Sequence, residues 1–508
     1  MEDLSQVLRI RREKLEALGE RGIEPFAYNF DATHRSIEVA AAFEGLEADG
    51  QLSEDGDGAA ARLGGRVVSW RGHGKSAFAH LEDGDGRIQV YFKKDVLSEE
   101  RFADLSLIDL GDWIGVEGRT FRTRTGEITI RADSYTLLTK SLRPLPFGKV
   151  ETDAETGERT VHSGFADQEA RYRQRYADLA VHPEVREVFR KRSRIITSLR
   201  SFLDSEGFLE VETPVLQPLY GGASAKPFVT HHHALDQKMY LRIADELYLK
   251  RLIVGGLDRV YEISKDFRNE GLSRVHNPEF TMLEWYQAFS DYGDQMDLVE
   301  RMVLHVLDEV IGSRTVQYGE HELTFEPPFR RLGLVDGLSE ALGADAHEMD
   351  EAELRAKAEE LHVPDLDGAG RGKLIDKLFG ELVEPDLVQP TFVIDHPKEL
   401  SPLAKPHRGD ARLTERFEMY VAGAEIFNAF SELNDPIDQR QRFEAQAALR
   451  DAGDDEAQQV DDDYIRALEY GMPPTGGVGM GVDRLVMMLT NQSTIRDVIL
   501  FPILRDEE

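Results

Sequence analysis

Glu246, in the run Leu241-Arg-Ile-Ala-Asp-Glu-Leu-Tyr, and Glu432, in Asn428-Ala-Phe-Ser-Glu-Leu-Asn-Asp, lie far apart in the chain. If the fold brings both into one buried pocket, they select a cationic group, because an ammonium buried without an opposite charge costs several kcal/mol. Taken singly, each is an ordinary solvated acid. In a strand, alternate residues share a face. Asn428, Phe430 and Glu432 therefore point together, as do Phe280, Met282, Glu284 and Tyr286, and two such strands present their polar groups to one cavity. Arg268, in Phe267-Arg-Asn-Glu, carries a planar fork that matches two oxygens of a phosphate or carboxylate at once. Without that context it reads as a surface ion-pair partner. The run His231-His-His suggests a metal site, but neighbours along an extended chain point apart, so a structural use is expected.

Several elements must position these groups. A helical stripe runs from Glu184 to Leu203, with Val185, Val188, Phe189, Ile195, Ile196, Leu199, Phe202 and Leu203 on one side and Gly207 placed to end it. The following Phe208-Leu-Glu-Val-Glu-Thr-Pro alternates like a strand and stops at Pro214. Residues 340–380 return to helix as an inserted piece. Nearer the N-terminus, residues 1–60 begin with helical spacing and end in an acidic, glycine-rich linker. From Gly65 to Leu138, short alternating segments such as Arg87-Ile-Gln-Val-Tyr-Phe and Glu127-Ile-Thr-Ile-Arg are separated by Gly-rich turns, the pattern of a small antiparallel barrel. A proline- and glycine-containing connector over 146–165 leads to the remainder, 166–508.

The totals bound the class. A chain of 508 residues that is 41% hydrophobic forms two or three domains. It has no cysteine, which excludes disulfides and thiolate metal sites. The first ten residues include acids and lack a long apolar core, unlike a signal peptide, and no run approaches a membrane span, so a cytoplasmic location is expected. With 61 Lys plus Arg against 95 Asp plus Glu, the net charge is −34, which alone argues against a nucleic-acid partner. Local clustering reverses this between Arg171 and Arg200, where basic residues dominate. An acidic surface elsewhere suits a salt-rich cytoplasm.

Three separated segments resemble the class II aminoacyl-tRNA synthetases. Gly207-Phe-Leu-Glu-Val-Glu-Thr-Pro is similar to motif 1, Phe267-Arg-Asn-Glu with His276-Asn-Pro-Glu-Phe-Thr to motif 2, and Gly479-Met-Gly-Val-Asp-Arg-Leu to motif 3. Gly221-Gly-Ala-Ser-Ala-Lys-Pro-Phe, Tyr240-Leu-Arg-Ile-Ala-Asp-Glu-Leu-Tyr, Phe430-Ser-Glu-Leu-Asn-Asp-Pro and Thr494-Ile-Arg-Asp-Val-Ile-Leu-Phe-Pro sharpen the likeness to bacterial-type lysyl-tRNA synthetases. The resemblance implies an α+β chain, with an N-terminal OB-fold over 61–145 that reads the anticodon and a catalytic domain built on an antiparallel sheet flanked by helices. It also implies a homodimer, and as partners L-lysine, ATP and tRNA(Lys).

Carried over residue by residue, the resemblance gives Arg268, Glu270, His276, Phe280 and Arg484 contacts to ATP, with Arg268 catalytic at the α-phosphate and the reacting carboxylate. Phe280 and Arg484 would stack on opposite faces of adenine. Gly222, Glu246, Glu284, Tyr286, Asn428, Phe430 and Glu432 would surround lysine. Glu418 and Glu425 match acidic Mg²⁺ ligands, and hard oxygen donors are what that ion requires. In the barrel, Arg71, Phe78, Gln89 and Glu127 match anticodon contacts, as expected where splayed bases stack on aromatics and expose their pairing edges; the plain alternative for Phe78 is a barrel-core aromatic.

The chain departs from the family at Trp70 and Ala424, where basic residues are usual, at Phe427, where a small residue is usual, and in Ser273-Arg-Val-His, where arginine usually sits directly before the histidine. Three rival readings require other residues. An aspartyl or asparaginyl synthetase would need a cation in the pocket where Glu246 and Glu432 stand. A protein-lysylating relative would lack the barrel, and a catalytically dead RNA-binding regulator would have lost Arg268, Arg484 or the paired acids.

Overall fold

The computed structural model describes residues 2–152, 159–162, 164–451 and 459–506, so part of the 146–165 connector lies outside the described residues. The chain divides into two compact units, Met1–Val181 and His182–Glu508. The short helices Gln168–Arg173 and Arg175–Val181 fall in the first. Pro183 opens the next helix, a position where its missing N–H costs nothing. Among the described residues, no helix is long and apolar enough to cross a membrane.

In the first unit, helices Glu2–Glu20 and Ser36–Ala48 precede a closed five-stranded barrel. Its strands are Asp57–His73, Ser76–Glu82, Arg87–Lys93, Trp113–Arg122 and Ile128–Thr139. The acidic stretch read as a linker is mainly turn over 49–56, with its first two residues ending a helix and its last two opening a strand. Ala77, Ala79 and Leu81 point into the barrel while Phe78 and His80 point out. Trp70 stacks on the buried Phe92, with centroids 5.6 Å apart, which gives this departure from the family a packing role.

The second unit is built on an eight-stranded sheet. Its order is Arg330–Gly333, Thr391–Ile394, Arg416–Val421, Ala424–Ser431, Thr475–Gly481, Glu279–Ala288, Arg259–Phe267 and Leu209–Glu210, antiparallel except at the two edge pairs. The motif 1 segment therefore contributes a two-residue strand, shorter than its alternation suggests. The helical stripe forms Pro183–Ser205, and its Ile195, Leu199, Phe202 and Leu203 join the main core under the sheet. Phe427 belongs to that core, edge-on to Trp285, on the face opposite Asn428. Helices Leu334–Leu342, Glu351–Glu360 and Arg371–Leu382 have their own apolar cluster, built on Leu338, Leu354, Leu374 and Leu378.

Candidate active site and nucleic-acid face

Register places the functional side chains of the second unit in rows across the sheet. Glu418, Asn428, Gly479 and Glu284 are successive cross-strand partners, and so are Arg416, Phe430, Gly477 and Tyr286. The Thr475–Gly481 strand alternates glycine with buried Val478 and Met480. It packs the core on one face and presents no side chain at Gly477 and Gly479 on the other, so a cavity of about 360 Å³ opens above the sheet. A Cβ at Gly477 would collide with Glu432 and Tyr286. Gly222, at φ +90°, passes close to Ala244 and Glu246, where a Cβ would sit 3.1 and 3.2 Å from theirs.

Thirteen of the residues singled out from sequence line this cavity: Gly222, Glu246, Arg268, Glu270, His276, Phe280, Glu284, Tyr286, Glu418, Glu425, Asn428, Phe430 and Arg484. Arg268 lies 5.1 Å from the Phe280 ring centroid, and its buried Nε finds no hydrogen-bond partner among the described residues. Arg484 donates to the Glu425 backbone carbonyl at 2.7 Å and approaches its carboxylate at 3.3 Å, with its second nitrogen 3.1 Å from His276 Nε2. Ser273 reaches His276 Nδ1 at 2.9 Å, so the reordered loop retains a hydroxyl that orients the ring. Burial, together with the charges of Arg484 and Arg268, keeps His276 below its ordinary pKa.

Glu432 forms a β-bridge one residue beyond the Ala424–Ser431 strand and is buried, with its carboxylate over Gly477 beside Tyr286, deeper than the residues that open onto the cavity. There it meets Lys250, which the sequence reading overlooked. Its buried ammonium forms ion pairs with both Glu246 and Glu432. Lys250 is one helical turn after Glu246, at the spacing of an ion pair along a helix, and that was the signal available. Tyr286 donates to Glu284 at 3.0 Å. Burial pushes Glu284 well above the carboxylate range, with repulsion from Asp245, Asp266 and Glu246 adding to the effect.

Arg242 is a second cation missed from sequence. It lies 3.0 Å from Asp245, 2.7 Å from Glu262 and 3.3 Å from Asp266, so the acids behind Glu284 share an internal guanidinium. Arg416 is a third: it binds Glu418 at 2.5 Å and Asn428 Oδ1 at 3.1 Å. Burial opposes the charge on Glu418, but Arg416, His396 and the Tyr420 hydroxyl outweigh it and hold this carboxyl below its usual range. Glu425 is raised by burial and by Glu418, against the pull of Arg484. The donor set of Glu418 and Glu425 suits a hard divalent cation: two carboxylates line one cavity, and the Glu425 side chain keeps 38% of its surface open.

A family model for tRNA synthetases class II (D, K and N) matches residues 167–505. The chain belongs to the class II tRNA synthetases. A model for the OB-fold nucleic acid binding domain matches residues 61–138, the closed barrel. Relatives of this synthetase include the lysine–tRNA ligase of Bacillus cytotoxicus, 50% identical over 100% of this chain and 99% of its own length. Those of Carboxydothermus hydrogenoformans and Bacillus subtilis are each 49% identical, over 100% and 99% of this chain and 99% and 98% of theirs.

On the synthetase's barrel, Ser69, His80, Gln89 and Thr129 are successive partners across four strands. Ser69 meets His80 Nδ1 at 2.6 Å, and His80 Nε2 meets Glu127 at 2.7 Å. Gln89 donates to Glu127 at 2.6 Å and accepts from Thr129 at 2.8 Å. Gln89 and Glu127 are thus held by each other and by His80, which the sequence reading also passed over. Phe78 is half-buried on the outer face, 4.7 Å from the Tyr91 ring and paired across strands with the exposed Arg71. The basic run from Arg171 to Arg200 is largely spent internally: Arg171 and Arg175 hold Asp178, Arg192 holds Asp483 and Arg200 holds Glu210.

Proposed function

We propose that the chain is a lysine–tRNA ligase, which joins L-lysine to ATP as lysyl-adenylate, releases pyrophosphate, and passes the lysyl group to the terminal ribose of tRNA(Lys). The observation that carries this reading is the convergence of Arg268, Phe280 and Arg484 with Glu246, Glu284 and Tyr286 on one cavity. Arg268, with an uncommitted buried N–H, binds the α-phosphate and the amino-acid carboxylate, which lets the carboxylate approach phosphorus in line. Phe280 takes one face of adenine and Arg484 the other, while His276 and Glu270 contact the nucleotide. Glu246, Glu284, Tyr286, Asn428 and Phe430 surround the lysine side chain and ammonium groups, Gly222 closes the pocket, and Glu432 supplies charge from its place over Gly477. Glu418 and Glu425 hold Mg²⁺, which neutralises phosphate charge when bound.

In the barrel, Phe78 stacks on an anticodon base, and Gln89, Glu127 and Arg71 contact anticodon groups. A homodimer fits the exposed Leu209, Leu216, Val229 and Leu235 beside the motif 1 segment. The cytoplasm is the compartment where charged tRNA is consumed. An aspartate-specific enzyme is disfavoured because the pocket's cation, Lys250, is already matched by two carboxylates. Lysine-dependent ATP–pyrophosphate exchange followed by charging of tRNA(Lys) tests the reading. Exchange driven by aspartate or asparagine, and not by lysine, would overturn it.

A further inference from the structure

Lys250 is a charged group inside the site that touches no substrate in the reading above. Its side chain has no exposed surface, its ammonium pairs with Glu246 and Glu432, and it lies 5.9 Å from the Tyr286 ring centroid. Beyond the Lys250 ammonium, Glu432 has no hydrogen-bond partner among the described residues, and the Tyr464 hydroxyl beside this group lacks one as well. Two carboxylates thus share one resident ammonium. When both are ionised, one negative charge is left without a counter-charge, in a buried place beside Gly477 and Tyr286. A buried, unpaired carboxylate is costly, and a second ammonium arriving from the cavity is the group that relieves it.

We propose that Lys250 is a positioning residue, a resident counter-ion that fixes Glu246 and Glu432 and leaves between them one negative charge for the side-chain ammonium of the incoming amino acid. This inference rests on the cavity being the lysine pocket. Glu246 and Lys250 come from the helix Glu246–Val254, with Asp245 just ahead of it; Glu284 and Tyr286 come from the strand Glu279–Ala288. Tyr464 faces them from the helix Asp462–Glu469, and Arg416 acts on Glu246 from the strand Arg416–Val421. Burial pushes Glu432 up to about 8, with Lys250 opposing and Glu246 reinforcing the shift. Burial also works against the charge on Lys250, but Glu246 and Glu432 outweigh it and hold the ammonium charged. Removing Lys250 takes away the charge that opposes this shift, so Glu432 holds its proton to higher pH and presents its charge to the substrate less readily.

The test measures lysine KM, kcat and ATP KM by pyrophosphate exchange at about pH 7 and about pH 8.5, for wild type, Lys250→Met, Glu432→Gln and the double variant. Lys250→Met is expected to raise lysine KM roughly 100-fold near neutrality, with ATP KM unchanged and part of the loss recovered at the higher pH. In the double variant Glu246 is the one carboxylate left and no ammonium is resident, so the pocket again carries a single negative charge and Lys250→Met should add less than about threefold to the effect of Glu432→Gln. A lysine KM unchanged by Lys250→Met would overturn the counter-ion role, as would losses that multiply in the double variant. If Lys250→Met alone does not fold, the double variant against Glu432→Gln still decides. Absence of lysine-dependent exchange in the wild type would instead sink the functional reading itself.

Discussion

Two carboxylate networks, one in each unit, are built from similar parts and work under opposite conditions. In the second unit, Glu246 and Glu432 are closed off from water around Lys250. In the barrel, Glu127 is exposed and held from its sides by His80 and Gln89. Burial amplifies charge: a mismatch of two carboxylates against one ammonium is costly enough to demand a ligand of matching charge. At the barrel surface water screens the same charges, so the network orients groups without demanding a charged partner. The buried site is therefore suited to choosing a small cation, and the exposed one to presenting hydrogen-bonding edges to a base.

The largest expected effect that sharpens this contrast is Glu246→Gln. Losing a buried carboxylate that partners Lys250 should weaken lysine by about 3 to 5 kcal/mol, read as lysine KM in pyrophosphate exchange. Unchanged lysine kinetics would dissolve the distinction between the two networks. Next is Gly477→Ala, whose methyl must displace Glu432 or Tyr286. A loss of about 1 to 3 kcal/mol in lysine affinity, with ATP KM little changed, is expected from such overpacking.

Phe78→Ala probes the other side of the comparison. It should cost about 1 to 3 kcal/mol in tRNA binding, seen as a higher tRNA KM, while pyrophosphate exchange stays at the wild-type level. Loss of exchange in this variant would mean the barrel face is not an independent reader.

A smaller effect concerns pH. The folded-state pKa of Glu432 is raised to about 8 from 4.5, so the folded protein binds the extra proton. The stability this confers is complete below the unfolded value and is lost as pH rises through about 8. Lysine supplies the missing positive charge, so the upward shift of Tm by saturating lysine should grow between about pH 6 and pH 8. A shift that does not change with pH would count against the charge mismatch. The smallest effect is expected at His80, which burial holds below its ordinary value despite the opposing hydrogen bond to Glu127. His80→Ala should raise tRNA KM by about 1 kcal/mol or less, because the network it braces is exposed and Gln89 still holds Glu127.

Much of the site was legible in the sequence because period-two alternation fixes which residues share a face. Phe280, Met282, Glu284 and Tyr286 do line one cavity, as do Asn428 and Phe430 from a second strand. The glycine alternation from Gly477 to Gly481 was equally visible, though its use as an open floor was not read from it. Glu432 keeps the pleat beyond Ser431, its N–H bonding Thr475 and its carboxylate lying over Gly477, but nothing local marks the ion pair with Lys250 that it makes there. Trp70 and Phe427 looked like functional departures, yet each contributes to packing, on Phe92 and Trp285 respectively. Arg171 to Arg200 looked like a basic surface, but Asp178, Asp483 and Glu210 absorb much of its charge.

The sequence by itself determined the family, the barrel pattern, the faces of the principal strands and the residue types able to bind a cationic amino acid and a nucleotide. Those follow from local spacing and chemical type, which need no knowledge of distant neighbours. Tertiary structure decided which charges meet. Lys250 stands between Glu246 and Glu432, Arg242 among Asp245, Glu262 and Asp266, and Arg416 against Glu418. Coulomb energy depends on distance and burial, and neither is encoded in separation along the chain.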